Sequence, residues 1–325
     1  MRLAPVAERG DPLSSVSIKR TPDSRFENLP EYTFTPRYCE LPDARFGRLR
    51  MHYLDEGPAD APVVLLMHGQ GTWSYMYRKM IPLLVAAGYR VIAPDYIGFG
   101  RSDKLPDTED YSFQKHVDWL VCFLDTLEIR DATAYLFDWG GYFGLRIAAL
   151  HPQFFSRLVL SNTMLPQGQG GSGREWFLNW REQQFALPKF PQGEMVNTGV
   201  VEKLRPEIIA AYDAPYPDES YKTGPRRCPM ILPIWPDDPA SIANAEAWQK
   251  LASWTKPVLT LFSASLGTGS LGPEAIKAHI PGAQGQVHAL LEPAGFYIVE
   301  DRYRELAVRI AEFAAKNVPD LFSAP

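Results

Sequence analysis

The chain has 325 residues, 46% of them hydrophobic, which suits one large domain or a core carrying an insertion. Its net charge of -5 comes without a basic run, which argues against nucleic acid and anionic membrane as partners, and no apolar stretch reaches the length of a membrane span. Cys39, Cys122 and Cys228 are scattered, without metal-ligand spacing, and read as reduced packing residues of a cytoplasmic protein; Met1 to Arg20 mixes charge with proline and lacks a signal-peptide core.

Residues 1–25 read as an extended N-terminal arm. Arg48 to Leu54 alternates like a strand, and Val63 to Met67 is a continuous apolar run of the kind covered on both faces. That run ends in His68-Gly69-Gln70-Gly71-Thr72-Trp73, after which a helix is expected from Ser74 to Ala87. Arg90 to Ala93 is a short strand, followed by a glycine-bearing loop from Pro94 to Asp103. Ser112 to Leu127 is an amphipathic helix. Ala132 to Phe137 is the next strand, its helix runs to Leu150, and Arg157 to Leu160 is a further strand. Strands alternating with helices predict an α/β fold with a mostly parallel sheet wound on both faces. The alternation stops after Ser161. Residues 163–253 are rich in proline and aromatics without buried strand runs and read as an inserted helical cap. Val258 to Phe262 and His288 to Leu291 restore the sheet, and Asp301 to Ala314 closes it with a helix. The organisation is thus an arm (1–25), a first part of the core (26–162), the cap (163–253) and a second part of the core (254–325).

The stretch from Ala132 to Leu150 organises the rest. Asp138 sits between a buried strand and a helix, followed by Trp139, Gly140 and Gly141. A carboxylate at the crest of a buried strand is costly to desolvate. The glycines permit a tight strand-to-helix turn, the geometry of a nucleophile elbow at the top of an α/β-hydrolase sheet. Ligands of such sheets bind outside the carboxyl ends of the strands, so the loops after Met67, Phe137, Phe262 and Leu291 are expected to converge beneath the cap.

On these residues the chain resembles the haloalkane dehalogenases, in the branch of the dichloroethane-degrading enzyme. The resemblance runs from Arg20-Thr21-Pro22-Asp23-Ser24-Arg25-Phe26 to the last helix. It includes Met51-His52-Tyr53-Leu54-Asp55-Glu56-Gly57, Ile97-Gly98-Phe99-Gly100-Arg101-Ser102-Asp103, Asp138-Trp139-Gly140-Gly141 and Ala211-Tyr212-Asp213-Ala214-Pro215-Tyr216-Pro217. The resemblance implies a two-step displacement without cofactor or metal. An elbow acid forms an alkyl ester with loss of halide, and a histidine oriented by a second acid then activates water. It assigns the nucleophile to Asp138, halide donors to Trp139 and Trp180, and oxyanion donors to the backbone of Gln70 and Trp139.

The residues depart from that pattern at the second step. Phe296, in Pro293-Ala294-Gly295-Phe296-Tyr297, stands where the family has histidine. Ala264 and Leu266 stand where it has candidate acids, and Ser161-Asn162-Thr163 offers no substitute carboxylate. Gln70-Gly71 replaces Glu-Pro, and Phe137, Tyr142, Phe143, Trp235 and Tyr297 are expected to make the pocket more aromatic. The reading that follows from these departures is a non-hydrolytic enzyme. In it Asp138 serves as general acid or base for elimination, isomerisation or cyclisation of an apolar or aromatic small molecule, and haloalkanes are not turned over. Two alternatives stand beside it: a displacement that stalls as an alkyl ester on Asp138, and a pseudoenzyme that binds an apolar small molecule.

Overall fold

A computed structural model describes residues 17–168, 174–266 and 272–315, the side chain of Leu266 excepted. Among them eight strands form one sheet: β1 (Arg37–Asp43), β2 (Gly47–Glu56), β3 (Val63–Met67), β4 (Arg90–Pro94), β5 (Ala132–Phe137), β6 (Phe155–Ser161), β7 (Val258–Ser263) and β8 (Ala289–Leu291). They lie in the order β1-β2-β4-β3-β5-β6-β7-β8, with β1 and β2 antiparallel to their neighbours and the rest parallel. The expected mostly parallel sheet is present. β3 and β5 lie at its centre, and all five residues of β3 and all of β5 but Thr133 and Tyr135 are apolar, because both of their faces are covered.

Helices cover the two faces. α1 (Ile81–Ala86) and α10 (Ile298–Ala315) pack on one side; α2 (Phe113–Thr126) and α3 (Trp139–Leu150) pack on the other. Ser112 begins α2 by accepting the Lys115 N–H on its hydroxyl, a side-chain N-cap. The single helix expected from Ser74 to Ala87 is divided into a 3₁₀ turn at Ser74–Tyr77 and α1. Pro82 sits in the first turn of α1, where its missing N–H costs nothing. β1 has no counterpart in the sequence reading. It is an edge strand whose apolar Cys39 and Leu41 are separated by polar residues and followed by Pro42.

Between β6 and β7 the described residues are helical: α4 (Arg174–Ala186), α5 (Gln192–Thr198), α6 (Pro206–Asp213), α7 (Thr223–Arg227) and α8 (Pro239–Leu251). α8 packs against α3, with Ala247 and Leu251 in the same apolar cluster as the sheet face. The buried Arg146 of α3 fastens the layer, donating to Asn244 Oδ1 at 2.6 Å and to Gln114 Oε1 at 2.8 Å. α9 (Pro273–His279) lies between β7 and β8. Of the N-terminal arm, residues 1–16 lie outside the described residues. Lys19 forms a β-bridge with Lys104, and Asp23–Phe26 is a 3₁₀ turn. No helix among the described residues is long and apolar enough to cross a membrane.

Two buried carboxylates hold the loops and helices around the sheet. Asp95, at the end of β4, accepts His52 Nδ1 at 2.7 Å, Ser74 N at 2.7 Å and Arg101 N at 2.8 Å, and these partners outweigh burial and keep it ionised. Glu300 of α10 accepts Arg78 at 2.5 Å and the Tyr212 hydroxyl at 2.5 Å, with Lys79 at 3.0 Å. It joins α10, the segment before α1 and α6. Removing one partner of a buried ion pair leaves the others uncompensated. Glu300→Gln is expected to lower unfolding stability by about 3 kcal/mol, measured by urea denaturation, with the Arg78→Met, Glu300→Gln double variant losing less than the two single losses combined.

Candidate active site

β5 ends at Phe137 and α3 begins at Trp139, leaving Asp138 to make the turn at φ 49°. That left-handed conformation is uncommon for a non-glycine residue and stores on the order of 1–3 kcal/mol. The turn is forced by how closely α3 approaches the sheet. A Cβ at Gly140 would lie 2.3 Å from the Met67 carbonyl oxygen, so any other residue would push α3 off β3. The Asp138 carbonyl starts α3 by accepting from Gly141 N and Tyr142 N, and it also takes the Thr163 hydroxyl at 2.7 Å.

The turn lifts the Asp138 carboxyl out of the sheet while leaving it 4% exposed. Gln70 N donates to its Oδ2 at 2.8 Å. Burial pushes its pKa up to about 7, opposed by the backbone N–H groups of Gln70 and Trp139 and by the Tyr142 hydroxyl. No cationic side chain contributes to this balance, which is why desolvation wins. The Trp139 indole N–H points at Gln70 Oε1, 3.3 Å away, and Gln70 Nε2 is buried with no partner among the described residues. Tyr142 packs on Trp139 with ring centroids 5.1 Å apart. Cys228 lies close enough for the Asp138 charge to add to the burial that pushes its thiol up.

Behind the carboxyl, Phe137 packs on Phe296 at 5.6 Å and on Tyr297 at 6.2 Å. The Tyr297 hydroxyl donates to the Gln70 carbonyl at 3.3 Å, so this ring does more than pack. Asp138, Gln70, Trp139, Tyr142, Phe137, Phe296 and Tyr297 are thus brought together as the sequence suggested. Asn162, in the loop after β6, donates to Ser263 Oγ and to the Phe296 carbonyl and fixes the Phe296 turn. A 3₁₀ turn at Ala264–Leu266 follows β7, but the Leu266 side chain lies outside the described residues.

Three expected pocket residues are placed differently. Phe143, one helical turn beyond Trp139, touches the site through the Trp139 ring at 5.4 Å but faces α2 and is otherwise enclosed by Phe113, His116 and Tyr96 in the core. Trp235 is 47% exposed and covered by the Arg174 guanidinium at 4.6 Å, a surface stack. Trp180 stacks on Trp176 and packs on Phe177 along α4, a helix with no buried side chain, and among the described residues no hydrogen bond or ring pair joins it to Asp138 or Trp139. None of the six histidines hydrogen-bonds the carboxyl; each has its ring engaged by other groups. His52 pairs with Asp95, and His68 bonds Gly69 O and Tyr96 N. His116 stacks on Phe143, His151 packs on Phe154, His279 bonds Trp248 O, and His288 bonds Thr260. No cluster of metal-ligating side chains exists among the described residues.

Sequence reasoning missed Gln192 and Met195 of α5. Met195 Sδ and Gln192 Oε1 lie 3.2 Å and 3.5 Å from the position a Cβ would take on Gly71, beside the Tyr297 hydroxyl. A lone Gln in a proline-bracketed segment gives no periodic signal that it turns inward. Asp301 accepts Gly295 N at 2.8 Å and Val201 N at 3.1 Å, so it pins the Phe296 turn to the segment after α5.

A family profile described as the alpha/beta hydrolase fold matches residues 62–198. The haloalkane dehalogenase of Psychrobacter cryohalolentis is 47% identical over 302 residues, covering 93% of this chain and 99% of that protein. The haloalkane dehalogenase of Mycobacterium marinum is 45% identical over 91% of this chain and 99% of its own length. A tetrameric haloalkane dehalogenase structure from Paraglaciecola agarilytica superposes with a TM-score of 0.82 at 31% identity, over 94% of this chain and all of that one. These near-full-length matches overturn the expectations of a non-hydrolytic reaction, a stalled ester or a binding pseudoenzyme. They equally remove support for the view that haloalkanes are not turned over. The substitution at Phe296 is real, but a missing imidazole is too little to infer a changed reaction.

The carboxyl retains a proton in the folded state that the unfolded chain releases near 3.8, so stability falls as pH rises between about 4 and about 7. Asp138→Asn escapes this loss. By thermal or urea unfolding it is expected to match the parent below about pH 4 and to exceed it above about pH 7, by on the order of 2–4 kcal/mol. Equal stability at both ends would mean that the carboxyl is not desolvated.

Proposed function

Because this chain belongs to the haloalkane dehalogenase family, on the α/β-hydrolase fold, we propose that it hydrolyses a small apolar haloalkane to alcohol and halide, with Asp138 as nucleophile. The observation that carries the reading is the carboxyl itself, raised at φ 49° over the sheet end and held by the Gln70 N–H.

In the first step an Asp138 oxygen attacks the halogen-bearing carbon. The carbon–halogen bond breaks, its electron pair leaves on halide, and an alkyl ester forms. Trp139 Nε1 and the unpartnered Gln70 Nε2 are the donors for the departing halide. Only the ionised carboxyl attacks, so its pKa of about 7 sets the pH at which half the sites are competent.

In the second step water adds to the ester carbon. The oxyanion forms against the backbone N–H groups of Gln70 and Trp139, the pair that already bonds the free carboxyl. Collapse expels the alkoxide, which takes one water proton. The other proton stays on the restored carboxyl, which burial keeps neutral up to about pH 7 and which then releases it to solvent. This route requires no imidazole and is in keeping with Phe296, and it makes ester opening the slow step. In the same reading residues 26–162 and 254–325 form the core and 163–253 the cap. The three free cysteines suit a cytoplasmic setting.

Incubation with bromohexane is expected to release bromide well beyond one equivalent per chain, after an initial burst whose rate rises with pH through about 7. In ¹⁸O-water, mass spectrometry is expected to find label in the Asp138 carboxyl only after turnover. Asp138→Asn is expected to lower bromide release by at least about 10³-fold. A parent protein that releases no bromide, or an Asp138→Asn variant as active as the parent, defeats the proposal.

A further inference from the structure

Tyr77, Tyr96, Tyr297 and Tyr142 all stand close enough to Asp138 to feel its charge. The first three have committed their protons elsewhere. Tyr77 donates to the Met67 carbonyl at 2.9 Å, Tyr96 to the His68 carbonyl at 2.8 Å and Tyr297 to the Gln70 carbonyl at 3.3 Å. Tyr142 has no such acceptor among the described residues, and its hydroxyl meets the Asp138 side chain instead. α3 dictates this aim. Tyr142 lies four residues beyond Asp138, its N–H bonds the Asp138 carbonyl at 3.2 Å, and side chains of a helix lean back over the preceding turn. Trp139 fixes the ring there, with centroids 5.1 Å apart, and the residue is 9% exposed. Burial and the neighbouring carboxyl hold the phenol well above its ordinary range, so it meets the acid as a proton donor.

We infer that Tyr142 is a catalytic residue of the ester-opening step: its hydroxyl gives a proton to the departing alkoxide and is refilled by the water that attacks. The inference rests on the dehalogenase reading and assigns the proton transfer that this reading needs where Phe296 supplies no imidazole. The oxygen that leaves with the alkyl group is Asp138's own, so a donor seated on the carboxyl is already beside it. Water adds to the ester carbon. The bond from that carbon to the alkyl-bearing oxygen breaks, its electron pair goes to the oxygen, and the oxygen takes the phenolic proton. The phenol takes one proton from the added water, whose other proton stays on the restored carboxyl. An alkoxide is a stronger base than a phenolate, so the transfer runs in this direction. The Cys228 thiol is also held protonated near the acid, but no hydrogen bond joins it to the carboxyl among the described residues.

Tyr142→Phe keeps the ring on Trp139 and removes the hydroxyl alone; thermal unfolding first establishes that the variant is folded. Parent and variant are loaded with bromohexane, the excess is removed, and the hexyl adduct on the chain is followed by intact mass spectrometry. The adduct is expected to decay about 10²-fold more slowly in the variant. A ring that only packs would leave that decay unchanged. A second measurement needs no substrate: infrared titration of the carboxyl, its band assigned by comparison with Asp138→Asn. The midpoint, about 7 in the parent, is expected to rise by about one unit in Tyr142→Phe, because a donor to the ionised form is lost. An adduct that decays equally fast in both proteins overturns the role of Tyr142 and leaves the dehalogenase reading standing. An unmoved midpoint overturns it too, since the hydroxyl then does not bond the acid. A parent that never forms the adduct rejects the dehalogenase reading and this role together.

Discussion

The approach of α3 to the carbonyl end of β3 is the constraint on which the site depends. With only hydrogen at Gly140 the helix seats against the Met67 carbonyl, and the chain between β5 and α3 has one residue in which to reverse. Asp138 accepts the strain of that reversal, and the reversal leaves its carboxyl above the sheet rather than within it. The same geometry brings the backbone N–H groups of Gln70 and Trp139 to one side of the carboxyl. Packing therefore sets both the position of the acid and the direction from which it can be stabilised. Its ionisation follows from what packing leaves out: apolar and aromatic neighbours without a cation.

The charges that are neutralised lie farther away and serve the frame. Asp95 gathers His52, Ser74 and Arg101, so the loops on either side of β4 close on a single ionised carboxylate. Glu300 does the same for α10, α6 and the segment before α1 through Arg78 and Tyr212. Of these three buried acids, Asp95 and Glu300 have histidine, arginine or lysine side chains among their partners and their pKa values are lowered, while the donors of Asp138 are neutral and burial raises its pKa to about 7. That contrast separates the acid available for chemistry from the acids that hold the structure.

Much of this was legible in the sequence, for physical reasons. β3 and β5 are buried on both faces and read as unbroken apolar runs, and the acid followed by Trp-Gly-Gly marks the elbow. β1 was hidden because an edge strand covered on one face has only Cys39 and Leu41 to show. The helix ahead of β4 was drawn too long because Pro82 suits a helix start as well as a turn within an apolar run. Phe143, Trp180 and Trp235 are large rings whose direction depends on helix phase and on neighbours distant in sequence; the first is core, the second half-buried on α4 and the third exposed. The reaction was misjudged because residue 296 was weighed as if it determined the chemistry. The N–H groups at the carboxyl, which belong to the backbone, survive any side-chain change. Gln192 was invisible for the opposite reason, since nothing in the sequence shows that α5 buries it beside Gly71.

The turn carrying Phe296 is tied to the chain after α5 in two ways. Tyr297 N donates to the Gly199 carbonyl at 3.1 Å, and the Asp301 carboxylate bridges Gly295 N and Val201 N. A Cβ at Gly295 would strike the Gly199 oxygen at 2.3 Å, so the two segments are in direct backbone contact. The wall beside the acid and the roof above it are consequently one mechanical part. A hinge that lifted α5 to admit a molecule would draw Phe296 and Tyr297 with it, loosening the floor of the chamber in the same movement that opened its door.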